Sequence, residues 1–276
     1  MLAMTLKDDT DLLHEAVRAA GALALGYFGK SPRSRKKPDG TEVSEADIAA
    51  DELLRERLGQ ARPGYGWLSE ETPDDGSRHQ RKRVWMADPI DGTRAYLKGV
   101  PEWAVSVALV EDGLPIAGAI YNPAKDQFFH ALRGAGAFLN GEPIRTSGAA
   151  SIRGSHFAVS DVLLKRSYWG QPWPEDVTTR WVNSIAYRLA LVASGAADAT
   201  ISMSRKSLWD LAAAHLLVQE AGGVLTTHDG EELRFDGAGL TLPSIVAAGA
   251  NLHAELLERT SGVDVTSGGP RRKAGR

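Results

Sequence analysis

Apolar residues along this chain repeat first with a helical period and later with a strand period. Leu12, Leu13, Ala16, Val17, Ala20, Leu23, Ala24, Tyr27 and Phe28 recur every three or four positions, which predicts one amphipathic helix over residues 11–28. A second helix is expected over 44–58, with Ile48, Leu54 and Leu58 facing inward. Ser44 and Asp47 stand in capping-box relation there, so Asp47 reads first as a helix cap. Between these helices Lys30, Arg33, Arg35, Lys36 and Lys37 make a basic loop around Pro32 and Pro38. The apolar run 84–87 predicts a short buried strand. Pro89 and Gly92 end it, which puts Asp88 and Asp91 at its exit.

From residue 105 the pattern changes to strands at 105–110, 116–121, 128–131, 136–139 and 143–145, the last two joined by the hairpin dipeptide Asn140-Gly141. Small and polar residues at 147–151 suit a domain junction. Beyond it, strands at 156–159, 199–203 and 245–248 alternate with helices at 184–194, 208–221 and 252–260, the middle one stopped by Gly222-Gly223. The pattern predicts an α+β chain: an N-terminal α+β domain over 1–147, a C-terminal α/β domain over 148–266, and a disordered basic tail over 267–276.

Composition narrows the class of protein. With 276 residues, 43% hydrophobic and 24% charged, the chain can bury one large or two modest cores. No run approaches the ~20 apolar residues of a membrane span, and the first eleven residues include acidic ones instead of a basic export signal with an apolar core. The absence of cysteine removes disulfide and thiolate chemistry and makes a reducing cytoplasm the expected location. A net charge of −3 argues against bulk nucleic-acid binding.

Three acidic segments carry the chemistry. Trp85-Met86-Ala87-Asp88-Pro89-Ile90-Asp91-Gly92-Thr93 places two carboxylates and a glycine-threonine step behind an apolar strand, a combination able to hold a hard divalent cation beside an anion. Gly66-Trp67-Leu68-Ser69-Glu70-Glu71-Thr72 adds an acid pair, and Trp209-Asp210 opens a strongly apolar helix. Singly, each has an ordinary explanation as a turn, a solvated loop or a dipole-compensating acid. Together, with Lys37, Val43-Ser44-Glu45-Ala46-Asp47 and Glu220-Ala221-Gly222-Gly223, they resemble the Mg²⁺-dependent, lithium-sensitive phosphatases of the inositol monophosphatase family over nearly the whole chain.

The resemblance implies a layered α-β-α-β-α sandwich and a phosphomonoesterase acting through a metal-activated water with two to three Mg²⁺ ions. Glu70, Asp88 and the carbonyl of Ile90 would hold one ion; Asp88, Asp91 and Asp210 a second; Glu70 would reach a third through water. Thr93 with Asp47 would activate the attacking water, with Glu71 supporting from behind. Gly92 and Thr93 amides, Asp210 and Lys37 would face the substrate. A haloacid dehalogenase-type reading, built on two acids two residues apart, does not suit Asp88 and Asp91, which are three apart around a proline.

The substrate is expected to be a small phosphorylated metabolite. Met203 occupies the place where inositol monophosphatases carry an inositol-binding glutamate, which weakens the inositol assignment. Arg188 stands where 3′(2′),5′-bisphosphate nucleotidases place a lysine, a cation suited to a second phosphate, although a surface position would also suit it. Adenosine 3′,5′-bisphosphate is therefore the expected substrate, with inositol 1-phosphate and histidinol phosphate as alternatives and a regulatory scaffold as a non-enzymatic reading. Trp67, Trp85, Trp103 and Trp209 are expected in the core, and His215 in a hydrogen-bonded core position. Trp169, Trp173 and Trp181 would line a substrate loop or the face of a homodimer.

Overall fold

The computed structural model describes residues 6–265 and 271–272. In chain order the first half contains α1 (Leu6–Tyr27), β1 (Ser34–Lys36), β2 (Glu42–Ser44), α2 (Glu45–Ala61), β3 (Gly66–Ser69), β4 (Arg83–Asp91), α3 (Thr93–Leu97), β5 (Ala104–Glu111), β6 (Leu114–Asn122), β7 (Gln127–Leu132), β8 (Gly136–Leu139) and β9 (Glu142–Ile144). The second half contains β10 (His156–Phe157), α4 (Asp161–Leu164), β11 (Thr178–Thr179), α5 (Ile185–Ala193), β12 (Ala199–Ser202), β13 (Lys206–Ser207), α6 (Leu208–Glu220), β14 (Gly223–Thr226), β15 (Thr241–Leu242), β16 (Ile245–Gly249), α7 (Ala250–Thr260), β17 (Val263–Asp264) and β18 (Arg271–Arg272).

Two sheets organise these elements. β3 to β9 form a seven-stranded sheet in sequence order, parallel at β3/β4 and antiparallel elsewhere. The second sheet has five strands in the order β11-β10-β12-β16-β14. α1 and α2 cover one face of the larger sheet, where Leu13, Val17, Leu54 and Leu58 meet Trp85, Val105 and Val107. α5 and α6 fill the space between the sheets, and α7 covers the far face of the smaller one through Leu252 and Leu256 against Val246 and Ala248. The result is the α-β-α-β-α layering. β5, buried on both faces, is apolar along almost its whole length, as a strand between two helical layers must be. Gly118 lets α6 approach closely: a Cβ there would lie 3.0 Å from Ala213 Cα.

Several expected elements differ in extent. α1 begins at Leu6, five residues before the expected start, because Asp9 is buried in ion pairs with Arg62 and Arg83 that hold this first turn to the body of the protein. The basic loop contains β1, paired antiparallel with β2. β4 runs on through Pro89 to Asp91, so the two aspartates lie inside the strand and not beyond it. Of the expected disordered tail, Arg271–Arg272 pair with Val263–Asp264 as a short strand; residues 266–270 and 273–276 lie outside the described residues. No helix among the described residues is long and apolar enough to cross a membrane.

Candidate active site

The end of β4 explains how Asp88 and Asp91 share a cleft. Residues three apart on a regular strand face opposite ways. Here Asp88 pairs with Ser106 and Asp91 with Ala104, so three steps on β4 match two on β5. The extra residue is a β-bulge, and it contains Pro89, whose missing N–H a ladder position would not tolerate. The bulge brings both carboxylates to one cleft of about 390 Å³, which Glu70, Thr93 and Asp210 also line.

Each acid arrives on a different element. Glu70 follows β3, its backbone N–H donating to Ala87 O. Asp210 lies in the first turn of α6, where its Oδ2 accepts from Ser207 N at 3.1 Å as a capping box. Carboxylate oxygens of Glu70, Asp88 and Asp210 come within 4.8 Å of one another. Asp91 stays outside this trio. Its Oδ2 accepts from Ser184 Oγ and Ala186 N, both at 2.6 Å, at the start of α5.

Electrostatics at this point are unfavourable for the protein alone. Burial, then repulsion from Glu70, Asp91 and Asp210, raises the Asp88 pKa well above the ordinary range. Asp210 is raised by burial and by Asp91 and Glu70. Burial pushes Asp91 up to about 6 against the bonds from Ser184 and Ala186. A hard dication is the group that such a cluster of buried oxygens suits. Lys37 supplies part of the missing positive charge, its Nζ lying 2.9 Å from Glu70 and 2.7 Å from Glu71. It is therefore ion-paired behind the cleft instead of lining it.

Asp47 divides its two oxygens. Oδ2 accepts from Ser44 N at 2.8 Å and from Ser44 Oγ at 2.5 Å, closing the α2 cap. Oδ1 faces Thr93 Oγ1 at 3.1 Å, and the same hydroxyl lies 3.1 Å from Ile90 O. Capping and contact with Thr93 coexist. Gly92 adopts φ 96°, and a Cβ there would lie 3.0 Å from Glu102 O. Only glycine fits this step into α3.

Arg188 is buried on α5, with 5% of its surface exposed, which excludes the surface position. Its guanidinium lies 4.5 Å from the ring centre of half-exposed Trp181, and its Nε has no hydrogen-bond partner. Burial lowers its pKa to about 10, with Asp91 opposing.

Trp85 and Trp103 are fully buried, and Trp67 and Trp209 pack at core edges. Trp169 and Trp173 join the C-terminal core, leaving Trp181 as the cleft residue of that group. His215 is in the core, but its Nδ1 lacks the expected hydrogen bond because the apolar α6 surroundings offer no partner; burial takes its pKa to about 4. Sequence reasoning missed Asp51, one turn after Asp47 on α2. It accepts from Ser69 Oγ and, at 2.6 Å, from Thr72 Oγ1, bracketing Glu70-Glu71. The i, i+4 spacing of the two acids was the available signal.

Comparison with known proteins agrees with this geometry. The sequence model of the inositol monophosphatase family matches residues 6–263. A histidinol-phosphatase of Mycobacterium tuberculosis is 38% identical over 272 residues, spanning 94% of this chain and 96% of that protein. An inositol-1-monophosphatase of Mesorhizobium japonicum is 35% identical, spanning 90% and 94%. Among solved structures, an IMPase of Thermotoga maritima superposes with a TM-score of 0.81 at 28% identity, covering 91% of this chain and 96% of that one.

Proposed function

The chain belongs to the inositol monophosphatase family of Mg²⁺-dependent phosphatases and is a phosphoric monoester hydrolase, and from this premise we propose how its residues divide the work and which substrate they take. The observation that carries the reading is the meeting of Glu70, Asp88 and Asp210 beside the Thr93–Asp47 pair. In it, Glu70, Asp88 and the carbonyl of Ile90 would hold one Mg²⁺ ion, Asp88, Asp91 and Asp210 would hold a second, and Glu70 would reach a third. Bound Mg²⁺ neutralises phosphate charge and makes water a better nucleophile at neutral pH. Thr93 Oγ1, donating to Asp47, accepts a hydrogen bond from the attacking water and aligns it with the ester bond. Asp47, whose pKa is raised by burial, takes the proton. The amides of Gly92 and Thr93 orient the phosphoryl oxygens, and Asp51 holds the Glu70-Glu71 segment through Ser69 and Thr72.

The substrate in this reading is adenosine 3′,5′-bisphosphate. Arg188, buried and shared by the acidic cleft and the cavity beside it, supports a second phosphate on the leaving group. A second reading, histidinol phosphate, is favoured by the name of the 38%-identical relative. Phosphate release by the purified protein, with and without Mg²⁺, decides between them. The proposal expects Mg²⁺-dependent turnover with the nucleotide ahead of histidinol phosphate and inositol 1-phosphate. Preference for either of the latter overturns the substrate assignment, and turnover unaffected by Mg²⁺ removal overturns the division of roles.

A further inference from the structure

Past Arg188 and Trp181 the cleft continues into a second cavity of about 590 Å³, within the range of small-molecule sites. The two cavities share Trp181, Arg188 and Lys206 and otherwise differ in chemistry. Glu42, Glu70, Asp88, Asp91 and Asp210 line the first. Among the described residues no carboxylate lines the second; its walls carry Tyr168, Ile201 and Met203, with Arg166, Arg188 and Lys206 as charges. Tyr168 is half-buried and packs on Trp169 with ring centres 4.8 Å apart, which fixes it in the wall.

Arg188 is the informative residue. An uncompensated buried charge opposes folding. Among the described residues Arg188 has no ion-pair partner within 4 Å, and its Nε is sealed from water without an acceptor. Lys206 sits alongside, its Nζ donating only to uncharged oxygens, to Ser204 Oγ at 2.9 Å and to Arg205 O at 3.0 Å. Two such cations face a cavity in which the rings of Tyr168 and Trp181 and the apolar Ile201 and Met203 alternate with serine hydroxyls, a lining that complements a ligand with an anionic group and a planar ring that carries polar edges. An ammonium-bearing alcohol is repelled by three cations.

We infer that this second cavity is a leaving-group subsite for an aromatic base, with Tyr168 as a specificity-determining residue and Arg188 and Lys206, at the boundary of the two cavities, seating the second phosphate. The inference rests on the bisphosphate reading above and extends it to the part of the substrate that reading left unplaced. Base-on-aromatic stacking changes affinity by about 10-fold, which sets the expected effect.

The test compares kcat and KM of the Mg²⁺-loaded protein for adenosine 3′,5′-bisphosphate and for its 1-deoxyribose analogue, which lacks the base. The wild type is expected to favour the nucleotide by about 10-fold in kcat/KM, through KM. Tyr168→Ala should erase most of that preference while leaving kinetics on the base-free analogue unchanged, and Tyr168→Phe should retain it. Equal kcat/KM on the two substrates in the wild type overturns the subsite alone, as does equal loss on both in Tyr168→Ala. Turnover of inositol 1-phosphate or histidinol phosphate with neither bisphosphate accepted overturns the substrate reading, and the subsite with it.

Discussion

The two walls of the cleft are built by opposite means. The acidic wall comes from regular elements whose side chains are tied down: Asp47 by the α2 cap, Asp91 by the start of α5, Asp210 by the start of α6, and the Glu70 segment by Asp51. The basic wall draws on irregular segments around Tyr168 and Trp181, and Arg188 meets it with few polar contacts of its own. Rigid placement suits reacting atoms, which tolerate little displacement. Walls built from irregular segments suit the variable part of a substrate. The difference teaches that, on the roles proposed above, the reaction and its specificity should be separable by mutation.

The largest effect should come from the acidic wall. Asp88→Asn removes the most central carboxylate and is expected to lower kcat by about 10³-fold or more, with far-UV circular dichroism unchanged; near-normal turnover would break the division. Next, Thr93→Val deletes the hydroxyl that faces Asp47 and should cost about 10²-fold in kcat with KM nearly constant. A KM-only effect would move Thr93 from chemistry to binding. On the basic wall, Arg188→Ala should raise KM for the bisphosphate about 10-fold or more and leave a monophosphate nearly untouched. Equal losses on both substrates would merge the two walls into one unit.

The smallest effect concerns pH. Asp91 is raised to about 6 by burial, and Glu71 to about 7 by burial, opposed by Lys37 and reinforced by Glu70. Groups raised above their unfolded values contribute stability that is fully present below those values and is lost as pH rises through 6 to 7. The metal-free protein should therefore melt about 3 °C lower at pH 8 than at pH 5.5. Saturating Mg²⁺, which binds the ionised acids, should abolish that fall. A thermal-shift series across this range checks it, and a metal-free protein that gains stability with pH would refute the electrostatic picture.

The helices and strands were legible because each layer keeps one period: α1, α2 and β5 to β8 differ from expectation mainly at their ends. Membership of the family was legible from spaced acids, each weak alone. What escaped was geometry that local pattern does not encode. The bulge at Pro89 looks like a strand end in sequence, Arg188 looks amphipathic until α6 and the smaller sheet enclose it, and the grip of Asp51 on Ser69 and Thr72 joins segments 18 and 21 residues apart. Residues 160–181 carried no clear period, and the structure there has only four-residue α4 and two-residue β11.

The bulge between Asp88 and Asp91 ties function to a count of residues more than to their identities. Replacing Ile90 by another apolar residue preserves the arrangement, while losing one residue between the aspartates would remove the bulge and leave them two apart in a regular ladder, on one face still but without the kink that sets their present spacing. The spacing of the two carboxylates is thus tied to the length of that interval more closely than to the letters within it.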